Sequence, residues 1–224
     1  MTLHTFSAPA RAAARRAQAS PSISTLVLAA ALAAATMVSA CAPLVLGGAM
    51  VGGALSFSDR RTSGTQLEDE GIELKSGGRL REVLSDGGHV NVTSYNRTVL
   101  LTGEVPDDAA RTAVEQAVVR IENVRAIVNE LAVAGSSSLT ARSSDTILTS
   151  KVKARFIDAK DLQSNAVKVV SERGNVYLLG RVTEREAGRA TELARSVGGA
   201  SKVVKVFEII SEAELAQLQP AAKK

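Results

Sequence analysis

The sequence contains very little sulfur and very few aromatic rings. Its 224 residues include one cysteine, no tryptophan, two tyrosines and four phenylalanines. A lone cysteine excludes an internal disulfide, and so few rings require a core of aliphatic side chains. Histidine is equally scarce: His4 and His89 stand in no recognisable catalytic setting. No phosphate loop, nucleophile elbow or metal-ligand pattern is present, so the sequence predicts neither an enzyme nor a bound cofactor or metal.

The chain also has little excess positive charge beyond its first sixteen residues. The formal net charge is +4, but Arg11, Arg15 and Arg16 account for three of those charges. The rest of the chain is nearly neutral, which argues against a nucleic-acid partner. The halves differ, however: residues 70–134 carry 7 basic and 10 acidic side chains, and residues 145–210 carry 12 basic and 8 acidic. This asymmetry predicts a polyanionic partner for the second half.

The single cysteine, Cys41, has three possible roles. A buried core thiol is the usual one, and a reactive nucleophile would need a base that the sequence does not supply. A processing site is favoured by what precedes it. The three arginines form a positive region, and Leu26–Met37 is an uncharged run of twelve residues. Such a run is too short to span a bilayer and is typical of a secretory signal peptide.

The residues Val38-Ser39-Ala40-Cys41 resemble a bacterial lipobox. The resemblance implies that residues 1–40 are removed and that Cys41 becomes the acylated N-terminus. It also implies anchoring at the periplasmic side of the outer membrane, because Ala42 replaces the aspartate that favours inner-membrane retention. Several acyl chains give a stable anchor. Residues 41–69 would then be the lipidated cysteine followed by a glycine-rich tether and a polar linker or arm.

Beyond this segment the chain repeats itself. Residues 90–105, VNVTSYNRTVLLTGEV, and 167–182, VKVVSERGNVYLLGRV, share seven identities at an offset of 77. Each copy predicts a β-hairpin, with Asn96 able to adopt a left-handed turn conformation in the first. Gly103 and Gly180 lie inside the second strands, where glycine marks a bulge or a close backbone approach. Two copies predict two domains, 70–134 and 145–210, with a linker over 135–144 and a tail over 211–224.

The pattern of each copy is α-β-β-α-β. Helix-start chemistry at Pro106-Asp107 and at Thr183 precedes an apolar helical face in both copies, and a last strand follows. A helix is also predicted before the second hairpin, capped by Asp145 or Thr146. That helix has the sequence DTILTSKVKARFI, and its counterpart in the first copy is IELKSGGRLREVL. The counterpart contains Gly77–Gly78, so we expect that first helix to be broken, short or frayed. The fold class is α+β, with two helices on a three-stranded mixed sheet in each domain.

The strand motif Val-x-Leu-x-Gly-x-Val, in its two versions VLLTGEV and VYLLGRV, resembles the BON domain. The lipobox, the tether and two such domains together resemble the dual-BON outer-membrane lipoproteins. The resemblance implies a non-enzymatic envelope protein that binds anionic phospholipids through the first helix of its second domain. It also implies support of outer-membrane integrity and a location at division sites. Ile147 departs from the pattern: a tryptophan at this position helps enter the lipid, so we expect weaker binding here.

That helix carries the predicted site. On an ideal helix, Leu148, Val152 and Phe156 form a core stripe, and Ile147, Lys151 and Arg155 form an adjacent one about 80° wide. One exposed aliphatic residue beside two cations suits a membrane interface. The predicted phospholipid-binding residues are Ile147, Leu148, Lys151 and Arg155, while Lys153 points elsewhere. The alternative interpretation is an ordinary solvated helix, since basic flanks are common.

A second class of function remains open. Exposed sheet faces and edge strands would suit a scaffold that docks on outer-membrane assembly, division or peptidoglycan-remodelling proteins. The sequence does not decide between lipid and protein as the direct ligand.

Overall fold

The architecture is given by a computed structural model that describes residues 59–84 and 88–218. Cys41, the signal segment and the glycine-rich tether lie outside the described residues. No helix within the described ranges has the length and apolar character needed to cross a membrane.

The first domain follows the predicted order of elements. They are α1 (Ser63–Val83), β1 (His89–Tyr95), β2 (Thr98–Val105), α2 (Asp108–Val119), β3 (Ala126–Asn129) and β4 (Ala132–Val133). Strand β1 is antiparallel to β2, whereas β3 and β4 both run parallel to β2. The predicted last strand is therefore divided in two. Asp107 caps α2 by accepting the N–H of Ala110, as the helix-start residues predict.

The second domain repeats this order. Its elements are α3 (Leu139–Asp158), a short 3₁₀ turn (Ser164–Ala166), β5 (Lys168–Glu172), β6 (Asn175–Val182), α4 (Glu184–Arg195) and β7 (Lys202–Ile209). Strand β5 is antiparallel and β7 parallel to β6. Thr183 and Glu186 form a capping box at the start of α4. The α+β class and the mixed three-stranded sheet are confirmed. The 211–224 tail begins with a further helix, α5 (Glu212–Leu218).

The prediction of a broken first helix is wrong. Helix α1 is continuous over 21 residues and includes both Gly77 and Gly78. The two glycines cost about 1 kcal/mol each relative to alanine. Burial of Ile72 and Leu80 in the domain core offsets this cost, because tertiary packing contributes most of the stability of a helix.

Helical structure also extends into segments for which the sequence predicts linkers. Helix α1 begins at Ser63, and α3 begins at Leu139 with Ser138 as its cap. Asp145, predicted as a cap, instead lies buried inside α3, where its carboxylate accepts the backbone N–H groups of Arg173 and Gly174. The predicted capping role of Asp145 or Thr146 is therefore corrected.

The two strand glycines mark close backbone approaches, as expected. A Cβ atom at Gly103, whose φ is +113°, would lie 2.0 Å from the carbonyl oxygen of His89. At Gly180 it would lie 2.4 Å from the carbonyl oxygen of Ala166. No side chain fits at either position, so glycine is required in both hairpins.

The sheet faces that do not carry helices are packed against each other. Tyr95 and Leu100 of the first sheet form a buried cluster with Tyr177 and Leu179 of the second. The layers are therefore helices, sheet, sheet and helices. The side chains of β2 and β6 are apolar on both faces of each sheet, one face packing on helices and the other on the second sheet. The expectation that exposed sheet faces serve as docking surfaces is therefore wrong. Outer strands such as β1 and β7 remain at sheet edges.

The segment that leads into α1 reaches across to the second domain. The guanidinium of Arg60 is buried and donates to both carboxylate oxygens of Glu186, each at 2.7 Å. It also donates to the carbonyl oxygen of Arg181 and to the side chain of Gln163. The end of the tether is thus fixed on the domain that contains α3.

Candidate functional site

Helix α3 presents the two faces that the sequence predicts. Leu148, Val152 and Phe156 are buried in the core of the second domain. Ile147 is 55% exposed, and Lys151 and Arg155 are exposed on the same flank. Ile147 is thus only partly covered by its own fold and lies beside two cations, which makes the flank a candidate for contact with another molecule.

A cleft runs beside this flank. It has a volume of about 450 Å³, and Ile147, Leu148 and Lys151 line it from the helix. The hairpin turn contributes Arg173 and Gly174, and the loop after α4 contributes Gly198 and Gly199. Lys151 and Arg173 therefore line the same cleft, and its glycines place no side chain in it.

The hairpin turn is held against α3 by Asp145. Arg173 and Gly174 have φ values of 54° and 72°, a left-handed pair typical of a tight hairpin turn. Both of their N–H groups donate to the Asp145 carboxylate, at 2.9 and 2.8 Å. These bonds place Arg173 beside the helix, and no motif in the sequence analysis identified it as a site residue. The pairing of an aspartate in one element with a turn in another is not visible as a local pattern.

Two of the predicted site residues lie away from the exposed side of the cleft. Leu148 is 5% exposed and forms the floor of the cleft, where its side chain supports the helix. Arg155 does not line the same cleft. It lines a second one of about 340 Å³ together with Asp158, Arg189 and Glu192. The structure therefore brings Ile147 and Lys151 together with Arg173 and places Arg155 one turn away.

The cations of α3 are available for a ligand. Within the described ranges, Lys151, Lys153 and Arg155 make no ion pair. Arg173 lies 3.5 Å from the buried carboxylate of Glu104 and is itself 39% exposed. Unpaired surface cations can meet an external anion directly, and Arg173 keeps part of its guanidinium exposed beside its pairing with Glu104.

The opposite flank of α3 carries an apolar residue that the sequence analysis missed. Ile157 is 71% exposed and lies one turn after Lys153. Both residues line a cavity of about 310 Å³, which Arg61 and Lys168 also line. The spacing of four residues from Lys153 to Ile157 could have revealed this flank. Lys153 does point away from Ile147, as predicted.

The first domain has the same cations but lacks the apolar residue. The buried residues Ile72 and Leu80 correspond to Leu148 and Phe156 at an offset of 76. Lys75 and Arg79 then match Lys151 and Arg155, and Gly71 takes the place of Ile147. The match predicted from the sequence is therefore three residues out of register, because the glycine pair obscures the core stripe of α1.

No group of acidic, histidine or cysteine side chains able to hold a metal occurs among the residues that the structure describes. The acidic group behind the hairpin turn, Glu172, has a structural role. Burial raises the pKa of the Glu172 carboxyl above its ordinary value, even though the hydrogen bond from the Asn91 side chain lowers it. This bond joins the two domains behind the hairpin that carries Arg173.

Comparison with known proteins agrees with this architecture. The family model for the BON domain matches residues 68–135 and 144–211. The outer membrane lipoprotein DolP of Haemophilus influenzae is 36% identical over 182 residues, which cover 80% of this chain and 93% of that protein. A 21 kDa hemolysin of Actinobacillus pleuropneumoniae is 31% identical, covering 68% of this chain and 79% of that protein.

Among solved structures, CdsD, a structural protein of the type III secretion system of Chlamydia trachomatis, matches with a TM-score of 0.27 and 9% identity. That match covers 67% of this chain and 98% of the other chain. A TM-score this low does not indicate a shared fold. The two family matches and the identity over most of the chain suffice: the chain belongs to the BON domain family and contains two BON domains in tandem.

Proposed function

We propose that this protein is a lipoprotein anchored on the periplasmic side of the outer membrane, and that α3 of its second domain binds anionic phospholipid there. The anchor would be Cys41, and the role would be to support outer-membrane integrity, including at division sites. The lipobox-like sequence and the 36% identity to an outer membrane lipoprotein support the location. Docking on outer-membrane assembly or division proteins stays a prediction.

One observation carries the lipid proposal. Ile147 and Lys151 line the same cleft as Arg173, with the isoleucine 55% exposed at its side. A lipid phosphate would lie between the ammonium of Lys151 and the guanidinium of Arg173, which binds phosphate oxygens in a fork. Ile147 would enter the boundary between headgroups and acyl chains.

The expected affinity of this site is modest. Each cation near an anionic bilayer contributes about 1 kcal/mol, and a buried isoleucine side chain contributes about 1.5–3 kcal/mol when it is fully removed from water. Ile147 already hides part of its surface, so its share is smaller. An acylated Cys41 would compensate, because a tether holds the domain at a high effective concentration near the membrane.

Vesicle flotation of residues 59–224 tests the proposal. We expect recovery with vesicles that contain phosphatidylglycerol, little recovery with zwitterionic vesicles, and a decline as salt screens the charges. Lys151→Glu and Ile147→Asp should each reduce recovery several-fold. Matched controls are Lys205→Glu, an exposed lysine of the same domain, and Ile209→Asp, whose isoleucine is 51% exposed.

Equal recovery with both vesicle types would refute lipid recognition by α3, as would equal losses in the control and site variants. The anchor is tested separately in cells. Cys41→Ser should move the full chain from the membrane fraction to the soluble fraction. Flotation of residues 59–224, which lack this cysteine, reports on α3 independently of the anchor.

A further inference from the structure

Helix α1 carries an apolar face that points away from its own domain. Leu67 is 69% exposed and Leu74 is 81% exposed. The buried residues of this helix, Asp69, Ile72, Ser76 and Leu80, lie on the opposite side of the axis. Two leucines exposed to this extent on one face of a helix contribute nothing to the core beneath them.

Two glycines share this face with the leucines. On an α-helix, Leu67, Gly71, Leu74 and Gly78 fall within about 60° of one another. A Cβ atom added at Gly71 or Gly78 would meet no atom of the described residues within 4 Å. The fold of the domain therefore does not require glycine here, although each glycine destabilises the helix by about 1 kcal/mol relative to alanine.

The order of leucine and glycine along this face is self-complementary. When two copies of α1 lie antiparallel, with their midpoints between residues 72 and 73, Leu67 stands opposite Gly78 of the other copy. Leu74 then stands opposite Gly71 of the other copy. Each leucine fills the space that a glycine leaves, and the backbones can approach closely. A parallel arrangement would place leucine on leucine and glycine on glycine, and it would lose this fit.

The charges of the helix favour the same orientation. Exposed Glu70 and half-buried Glu68, which also pairs with Arg97, lie in its first half, and exposed Lys75, Arg79 and Arg81 lie in its second half. In the antiparallel register, Glu68 lies level with the stretch between Lys75 and Arg79 of the other copy, on the same flank. Opposite charges then face each other along the contact. The acidic first half also disfavours an anionic bilayer as the occupant of this face.

We propose that this face, Leu67, Gly71, Leu74 and Gly78, is a self-association surface through which two copies of the protein pair with their α1 helices antiparallel. The surface is small, so the pairing is weak in solution and depends on confinement to a membrane. It does not rest on lipid binding by α3, which lies in the other domain.

Site-specific crosslinking in membranes tests the pairing with the full chain. Leu74→Cys and Leu67→Cys are introduced separately and treated with a short bismaleimide. Two copies of residue 74 lie about 4.5 Å apart along the axis in the antiparallel pair, whereas two copies of residue 67 lie about 16 Å apart. We expect dimer several-fold above background for Leu74→Cys and none above background for Leu67→Cys.

Two further proteins give the background of this experiment. Leu139→Cys, at a residue of α3 that is 80% exposed, measures random collision. The unsubstituted chain measures crosslinking through Cys41.

A glycine pair supplies the matched control. Gly71→Leu adds bulk on the proposed surface, and Gly77→Leu adds the same bulk about 90° from its centre. Neither replacement meets an atom of the described part of the chain within 4 Å at the Cβ position. In the Leu74→Cys background, only Gly71→Leu should abolish the dimer. Background-level crosslinking of Leu74→Cys would overturn the proposal, and so would equal crosslinking at residue 67 or equal effects of the two glycine replacements. Vesicle flotation should be unchanged in all of these variants.

Discussion

Single carboxylates fix the hairpin turns of both domains. Asp69 accepts the N–H groups of Asn96 and Arg97, each at 2.8 Å, as well as the Ser94 hydroxyl and the Arg61 guanidinium. Asn96 and Arg97 have φ values of 50° and 65°. The left-handed conformation of Asn96 is foreseeable from the sequence. That of Arg97 is not, because arginine adopts it only when a partner such as Asp69 compensates the strain.

Replacement of Asp69 should therefore be costly. Both carboxylate oxygens accept two hydrogen bonds each, so in Asp69→Asn the amide nitrogen must face two donors. We expect a loss of about 3 kcal/mol in the free energy of unfolding, because buried donors lose a charged acceptor. Urea denaturation measures it. Asp108→Asn, which removes an exposed carboxylate paired with Arg111, is the control and should change stability by less than about 0.5 kcal/mol.

Glu172 and Asp69 should make the free energy of unfolding depend on pH in opposite directions. Burial raises the pKa of Glu172 in the folded state, so its ionised form costs stability at neutral pH. This cost disappears as the pH falls through the raised pKa. Burial also raises the pKa of Asp69, but hydrogen bonds from Ser94, Arg97, Arg61 and Asn96 outweigh it and hold that pKa below its ordinary value. The contribution of Asp69 is therefore lost as the pH falls.

We expect Glu172→Gln to be at least as stable as the parent at pH 7.5, since the glutamine oxygen can still accept from Asn91. The advantage should shrink as the pH is lowered toward 5. Parallel urea titrations at several pH values give the difference. A glutamine variant that is less stable at pH 7.5 than at pH 5, each relative to the parent, would contradict this assignment.

At the scale of elements, the sequence predicts more of the sheets than of the first helices. The hairpins, the strand glycines and the starts of α2 and α4 follow from alternation and capping patterns, which are local. Helix α1 is misjudged because glycine propensity is also local, whereas the helix is stabilised by packing of Ile72 and Leu80 on a distant sheet. Arg173 joins the candidate site through Asp145, 28 residues away, and such a contact leaves no periodic signal.

The glycines of α1 should therefore be replaceable, unlike those of the strands. Gly77→Ala removes helix-destabilising freedom without a clash, and we expect a gain of about 1 kcal/mol in the free energy of unfolding. The same change at Gly180 places a methyl group 2.4 Å from the Ala166 carbonyl oxygen and should destabilise the protein severely. Thermal denaturation of both variants compares them. A loss of stability at Gly77 would mean that the helix needs its flexibility.

At the scale of the molecule, the two domains form one structural unit although their sequences look like separate repeats. The buried pair of Arg60 and Glu186, at 2.7 Å, connects the segment before the first domain to the capping box of α4. Removing one partner of a buried pair costs about 3–5 kcal/mol, because the other charge stays buried alone. The chain is therefore fixed to the second domain at Arg60, before the first domain begins, and the position of α3 relative to Arg60 is set by the fold.

The packing of sheet against sheet predicts that both domains unfold together. The chain has two tyrosines and no tryptophan, and Tyr95 and Tyr177 lie one in each sheet within the shared cluster. Tyr177→Phe leaves Tyr95 as the sole emitter in the first domain, and Tyr95→Phe leaves Tyr177 as that of the second. We expect the two fluorescence transitions in urea to coincide with each other and with the loss of helical circular dichroism.

A charge in the shared cluster should uncouple the domains. Leu179→Asp places a carboxylate there and should separate the two urea midpoints, because each sheet then loses its apolar partner. Separate midpoints in the parent protein would mean that the domains are stable independently and that the contact between the sheets adds little to either.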